Sequence, residues 1–217
     1  MVLVTDRLAA LLAESPAISR ASHLQPPTLP VLEAFTTLLP DGGLRPGSSV
    51  QIGGVGATSI ALALCAKATQ DSWTAIVGLP SIGLRAANEL GVDLDHIVVV
   101  GEQTVDVFAA VIDAFDVVLA CPPPQRKAPR INARVRERDA VLIVLGTLAE
   151  NDLTIVGSAP QWHGIGNGHG HLAARTLHVT ATGRRAAARP REVTIWLPDE
   201  NGEIRVAQQA TVRRLRA

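Results

Sequence analysis

The sequence LRPGSSVQIGGVGATSIALALCAK, residues 44–67, decides the fold expected for the rest of the chain. Residues 50–52 alternate as in a β-strand, three glycines crowd the next positions, and residues 60–67 place alanine and leucine at helical spacing. A strand, a glycine turn and a helix in this order form the frame of a phosphate site, because the free N–H groups at the start of a helix attract anions.

This glycine turn lacks the positive charge of a P-loop. In the pattern G-x-x-x-x-G-K-[ST] a lysine reaches the outer phosphates, whereas here Ala57 stands where the lysine would precede Thr58, and the turn is about two residues short. We therefore predict no bound cofactor. The positions of this degenerate nucleotide site are Gly53, Gly54, Gly56, Ala57, Thr58 and Ser59.

Length and composition indicate a globular chain with one large core. Of its 217 residues, 47% are hydrophobic, which is ample for a core. No uncharged apolar run approaches the roughly 18 residues of a membrane span, and Asp6 and Arg7 interrupt the first residues, so we expect no membrane span, no signal peptide and a cytoplasmic location. Cys65 and Cys121 are expected to be buried thiols rather than a disulfide.

The formal net charge of zero conceals a strong asymmetry. Residues 1–121 hold 5 Lys/Arg against 12 Asp/Glu, and residues 122–217 hold 15 against 8, so the two parts carry −7 and +7. Such a distribution suits nucleic acid, an acidic partner or a head-to-tail contact between copies, and equally a basic surface without a partner.

Strands of nearly continuous Val, Ile and Leu alternate with helical patterns, which predicts the α/β class with a mostly parallel sheet covered by helices on both faces. Residues 176–182, 193–197 and 204–206 predict antiparallel strands toward the C-terminus, residues 147–171 are rich in glycine and polar residues, and QWHGIGNGHGH at 161–171 predicts a mobile loop that carries Trp162. The predicted strands are 73–77, 96–100, 116–120 and 140–145, and the predicted helices are 31–39, 83–90, 105–114 and 131–138.

We predict three segments. Residues 1–40 hold an N-terminal helix, from Asp6 to Glu14, and a proline-rich linker. Residues 41–197 form the core domain, and residues 198–217 form a C-terminal hairpin and a basic tail.

Three segments of the chain resemble the ATPase core of RecA recombinase. They are residues 44–64, TAIVGLPSIGLRAANELGVDLDHIVVV at 74–100 and FDVVLA at 115–120, and LGVDLDHI at 90–97 is the most specific piece. The resemblance extends roughly over residues 35–197 and implies a RecA-like core.

The resemblance also implies loss of catalysis. The positions of the family's lysine, catalytic glutamate and strand-ending aspartate correspond here to Ala57, Leu79 and Cys121. Phosphoryl transfer depends on positioning and charge stabilisation, so a chain without these three charges is not expected to be an enzyme.

An inert RecA-like core, a proline-rich N-terminal segment and a basic tail are together similar to the actinobacterial accessory proteins of the inducible mutagenesis cassette, the ImuA-prime type. This resemblance implies an adaptor in damage-induced (SOS) translesion synthesis, acting beside a Y-family polymerase homologue of the ImuB type. The alternatives are an interaction protein resembling the SOS cell-division inhibitors and a RecA-type ATPase with a non-standard phosphate loop.

Basic side chains and one tryptophan are the candidates for partner or DNA binding, and a solvated surface is the alternative for each group of arginines. Three histidines follow Trp162 closely, but we predict no metal site, because no cysteine is near and the glycines between them do not preorganise ligands. The candidates are Arg126, Arg130, Arg134 and Arg138 at helical spacing, Trp162, Arg184, Arg185, Arg189 and Arg191 in a loop or hairpin, and Arg213, Arg214 and Arg216 in the tail.

Overall fold

A computed structural model describes residues 28–166 and 169–207 of the chain. Within these residues the strands are β1 Ser49–Gly54, β2 Thr74–Val77, β3 Ile97–Val100, β4 Val117–Ala120, β5 Val141–Leu145, β6 Leu153–Gly166, β7 His169–Gly183, β8 Arg191–Trp196 and β9 Arg205–Val206. The helices are α1 Glu33–Thr36, α2 Ala57–Cys65, α3 Leu84–Glu89, α4 Val105–Ala114 and α5 Ala128–Glu137.

The strands form one sheet in the order β3-β2-β4-β5-β1-β6-β7-β8-β9. The strands from β3 to β6 pair in parallel, and β6 to β9 pair as an antiparallel series. β2 and β4 are buried along their whole length, as expected for parallel strands covered on both faces. The α/β class, the mostly parallel sheet and the antiparallel C-terminal strands are thus confirmed.

Helices cover the parallel part of the sheet on both faces. Buried residues of α1, α2 and α3 belong to one apolar cluster, and those of α4 and α5 belong to a second cluster on the opposite face. Phe35 and Phe108, both fully buried, are the largest side chains of the two clusters. Residues 31–39, which we had grouped with the N-terminal linker, therefore pack in the same core as α2.

The ends of the chain are described only in part. The predicted helix from Asp6 to Glu14 and the tail arginines Arg213, Arg214 and Arg216 lie outside the described residues. At the C-terminal end, β9 pairs with β8, and Arg175 N donates to Pro198 O at 2.9 Å, so residues 198–206 are joined to the sheet. No helix in the described ranges has the length and apolar character needed to cross a membrane.

The prediction of a mobile loop over residues 161–171 was wrong, because residues 161–166 and 169–171 belong to the two strands of a long β-hairpin. β6 has 14 residues and β7 has 15, and they remain paired from Leu153 opposite Gly183 to Gly166 opposite His169. The ladder shifts register between His163 and Ile165, next to Gly164 with φ +111°. A glycine with positive φ permits such a bulge without ending the strand, so a glycine-rich sequence continues the hairpin.

Candidate functional site

The turn between β1 and α2 consists of two residues. β1 ends at Gly54 and α2 begins at Ala57, so that only Val55 and Gly56 connect them. Gly54 and Gly56 have φ +78° and +70°, in the left-handed region that glycine adopts without steric cost. A connection this short does not form the wide ring of backbone N–H groups with which a P-loop surrounds a phosphate.

The backbone of β6 packs directly against this turn. Val55 N donates to Gly157 O at 2.8 Å, so one of the turn's two amides is already used. A Cβ added to Gly157 would lie 2.1 Å from Val55 O, and one added to Gly54 would lie 2.2 Å from Gly157 O. Glycine is therefore required on both strands, and the close approach leaves no gap for a phosphate between them.

The start of α2 nevertheless keeps the electrostatic character of a helix N-terminus. Gly56 is the N-cap without a side-chain cap, and the first intrahelical bond runs from Ile60 N to Gly56 O at 2.9 Å. The amides of Ala57, Thr58 and Ser59 thus precede the helical hydrogen-bond ladder, and no acidic residue lies in the first turn. Thr58 is exposed and Ser59 is half-buried.

Arg175 of β7 brings a guanidinium to this turn, a residue that the sequence analysis missed. Its Nη2 would lie 3.4 Å from a Cβ added to Gly56, its Nε donates to Leu197 O at 3.1 Å, and its Cζ lies 5.1 Å from the centre of the Trp162 ring. Partial burial lowers the pKa of Arg175, although arginine remains charged. No sequence motif links positions 56 and 175, so only the pairing of β6 with β7 reveals the contact.

The other two positions implied by the RecA resemblance follow neighbouring strands. Leu79 comes two residues after β2 and packs at the edge of the first apolar cluster. Cys121 follows β4, and its amide donates to Val77 O at 3.1 Å. Its thiol donates to Gln103 Oε1, and burial raises the pKa of Cys121, so the thiolate that nucleophilic attack requires is disfavoured.

Both cysteines are free thiols. Complete burial raises the pKa of Cys65 to about 12, which makes it an inert part of the core. Within residues 28–166 and 169–207, no three His, Cys, Asp or Glu side chains come together as a metal-binding group.

The four arginines at helical spacing do not form one free stripe. Arg126 precedes α5, which begins at Ala128 with Pro129 in its first turn, so the predicted stripe is wrong at this end. Arg134 Nε and Arg138 Nε donate to Asp113 Oδ1 at 2.7 and 3.0 Å and thereby connect α5 to α4. The Arg134 guanidinium holds the pKa of Asp113 below its ordinary value. Only Arg126 and Arg130 of the four remain exposed without such a contact among the described residues.

The arginines after β7 are also not equivalent. Arg184, Arg185 and Arg189 are exposed in the connection to β8. Arg191 begins β8 and is half-buried, and its guanidinium donates to Ala186 O at 3.4 Å, so it contacts the connection before β8.

Trp162 lies near the outer end of the β6–β7 hairpin. Its side chain is 53% exposed, and Ile165 and Leu172 of the same hairpin are exposed by 59% and 52%. Because Arg175 occupies one side of the Trp162 ring, a base or partner side chain would have to stack on the other side.

Fold and site together define an α/β protein with a central, mostly parallel sheet and a strand–turn–helix unit whose glycine turn is too short for a P-loop. The chain belongs to the family described as the MT3502 N-terminal domain, whose model matches residues 37–150. This match covers β1 to β5 and the helices α2 to α5, and it begins directly after α1.

One curated relative is the uncharacterized protein Rv3395c of Mycobacterium tuberculosis. It is 37% identical over 97 residues, which are 41% of this chain and 48% of that protein. The chain thus spans about half the length of the curated relative that it matches.

Proposed function

We propose that the chain is a non-catalytic adaptor with a RecA-like core, of the ImuA-prime type, which acts in damage-induced translesion mutagenesis. Its partner is a Y-family polymerase homologue of the ImuB type, with DNA as a further contact of the basic C-terminal half. The α/β fold and the segments that resemble RecA support this proposal, and the proposed location is the cytoplasm.

The closed glycine turn is the observation that supports the absence of catalytic activity in this proposal. Gly157 O accepts a hydrogen bond from the amide of Val55, and α2 starts with alanine at the position of the RecA lysine. The positions of the two RecA carboxylates are occupied by Leu79 and Cys121. Since phosphoryl transfer needs a cation and a metal ligand around the phosphates, this geometry favours a scaffold over an ATPase.

The exposed basic residues are the proposed contact surface. Arg126 and Arg130 before and at the start of α5, and Arg184, Arg185 and Arg189 after β7, are exposed cations in the described part of the chain. Exposed arginines are enriched at the hot spots of interfaces, as is tryptophan, and Trp162 is half-exposed at the hairpin.

A genetic experiment tests this role against the division-inhibitor alternative. Deleting the gene should abolish the rise in mutation frequency after ultraviolet damage, and expression of the chain without damage should leave cell length unchanged. Normal induced mutagenesis in the deletion strain, or filamentous cells on expression, would contradict the adaptor role.

Arg175 favours a second candidate function, the binding of a nucleotide or another anion without efficient hydrolysis. Its guanidinium lies beside Gly56 and next to the uncapped N-terminus of α2, where a cation would replace the missing lysine. Stabilisation of the chain by Mg-ATP that is lost in Arg175→Gln would support this candidate.

A further inference from the structure

A cavity of about 270 Å³ lies at the end of the sheet opposite to the glycine turn. Ser48 and Val50 at the start of β1 and Leu153 at the start of β6 line it, whereas the glycine turn follows the end of β1. No position implied by the RecA resemblance lines this cavity, so it is a separate feature of the molecule.

The floor of the cavity is apolar. Leu39, Leu44, Val50, Leu153 and Ala187 line it, and each is less than 10% exposed. Pockets that bind organic groups are typically concave and apolar inside, with a small number of polar groups that set orientation. The volume is below the range of about 300–1,000 Å³ for drug-sized ligands, which suits one or two side chains rather than a nucleotide.

Three arginines from two different segments line the opening. Arg45 comes from the turn before β1, and Arg184 and Arg185 come from the connection after β7. All three are exposed, and none forms an ion pair with an acidic side chain of residues 28–166 or 169–207. Three unneutralised guanidiniums at one opening favour a ligand with carboxylates.

Three aspartates at the same cavity narrow the choice of ligand. Asp152 is already bound by Ser49, whose N and Oγ lie 3.0 and 3.1 Å from its Oδ2, and Arg136 lies 3.8 Å away. Asp41 and Asp139 also line the cavity, so its wall is of mixed charge and the arginines at the opening are the places for carboxylates. The small volume and the apolar floor thus suit a side chain of a peptide better than a nucleotide.

Two lining residues have an unusual backbone conformation. Asp139 and Arg185 both have φ +54°, in the left-handed region that residues other than glycine seldom adopt. Such conformations are energetically unfavourable and are frequent at ligand-binding sites, where the surrounding structure maintains them.

We propose that this cavity binds an acidic peptide segment of a partner protein. An apolar side chain of the peptide enters the floor, and its carboxylates face Arg45, Arg184 and Arg185. This binding site rests on the adaptor function proposed above, and it specifies that the partner contributes acidic and apolar side chains.

Peptide selection on the intact chain tests the proposal directly. A display library of random 12-residue peptides is selected on the wild-type chain, and the recovered peptides are synthesised and titrated by fluorescence anisotropy. We expect peptides in which acidic residues flank a leucine or phenylalanine. Arg45→Glu/Arg184→Glu/Arg185→Glu should weaken their binding at least about tenfold, and replacing the apolar peptide residue by serine should weaken it similarly. The matched control is Lys67→Glu/Lys127→Glu, which reverses two exposed charges that do not line the cavity and should leave the affinity unchanged.

Recovered peptides without acidic residues, or equal affinity for the wild-type chain and the triple variant, would overturn the proposal. Because the three arginines are exposed, equal far-ultraviolet circular dichroism should confirm that the variant is folded. Co-purification of the intact chain with the polymerase homologue separates the two proposals. If acidic peptides bind but the polymerase homologue does not co-purify, the adaptor function is contradicted and the peptide-binding proposal is supported. If the polymerase homologue co-purifies but no acidic peptides are recovered, the peptide-binding proposal is contradicted and the adaptor function is supported.

Discussion

Val55 N and Gly157 O are joined by a hydrogen bond of 2.8 Å, which fixes the glycine turn against β6. In a phosphate-binding turn the backbone amides point to the ligand, whereas here a neighbouring strand accepts one of them. This hydrogen bond explains why the chain keeps the strand, turn and helix of a phosphate-binding unit although the space for the phosphate is closed.

Replacing Gly157 should destabilise the protein. The Cβ of alanine would lie 2.1 Å from Val55 O, which requires a backbone shift, so Gly157→Ala should lower the free energy of unfolding by about 2 kcal/mol. Urea unfolding measures the change. Gly53→Ala is the control, because a Cβ there meets nothing within 4 Å and φ lies outside the left-handed region. Equal midpoints for the two variants would contradict the close packing of turn and β6.

Residues 31–39 should behave as core rather than linker. Phe35 is fully buried in the cluster that covers α2, and Phe35→Ala should therefore lower the free energy of unfolding by about 3–5 kcal/mol. Thr37→Ala, at an exposed position directly after α1, should change it by less than about 0.5 kcal/mol. A small effect of Phe35→Ala in the same urea titration would show that this segment does not belong to the core.

Nucleotide should not stabilise the wild-type chain. A ligand at a concentration of about a hundred times its Kd adds about 2.7 kcal/mol to the free energy of unfolding, which a thermal melt detects. We expect an unchanged Tm with millimolar Mg-ATP, and no hydrolysis by Ala57→Lys, because the lysine alone does not lengthen the two-residue turn. A rise in Tm that Arg175→Gln removes would instead establish the second candidate function.

The buried carboxylate of Asp199 should make stability depend on acidic pH. The side chain of Arg205, and then the amides of Glu203 and Asn201, donate to it and hold its pKa below the ordinary 3.8. A lowered carboxyl pKa stabilises the fold fully above the unfolded pKa, and this contribution is lost as the pH falls through the folded pKa.

The Asp199→Asn variant isolates that contribution. The difference in free energy of unfolding between wild type and variant should be constant from about pH 5 to 8 and should shrink below pH 3.8. A difference that does not change with pH would mean that the charge of Asp199 contributes nothing. Asp71→Asn, at an exposed position without a resolved contact to a basic side chain, provides the control.

Local patterns in the sequence were sufficient to predict the parallel part of the sheet. Residues 117–120 and 141–145 are continuous runs of apolar residues, and α4 begins after Thr104, whose side chain accepts from Val107 N as a helix cap does. β6 and the first part of β7, before the predicted strand at 176–182, were missed because their glycines resemble those of a loop, although Gly164 and Gly170 have positive φ values within paired strands.

Only the part of the candidate site that consists of consecutive residues was predicted from the sequence. The missing charge at Ala57 was visible in the glycine turn itself. Arg175 reaches Gly56 through the pairing of β7 with β6, and the peptide cavity joins residues between positions 39 and 187, so neither was predictable from spacing. The ion pair of Asp113 with Arg134 and Arg138 likewise depends on the packing of α4 against α5.

The most direct test of the adaptor role is co-purification of the chain with the Y-family polymerase homologue in the absence of nucleotide. A C-terminal truncation in this experiment should follow Ala207 and not the predicted end of the core at residue 197, because residues 198–206 are bonded to the sheet through Pro198 and β9. We predict a stable complex with the intact chain that is weakened by removing residues 208–217 or by changing Arg184, Arg185 and Arg189 to glutamate. Failure of the folded, intact chain to retain the polymerase homologue would contradict the account.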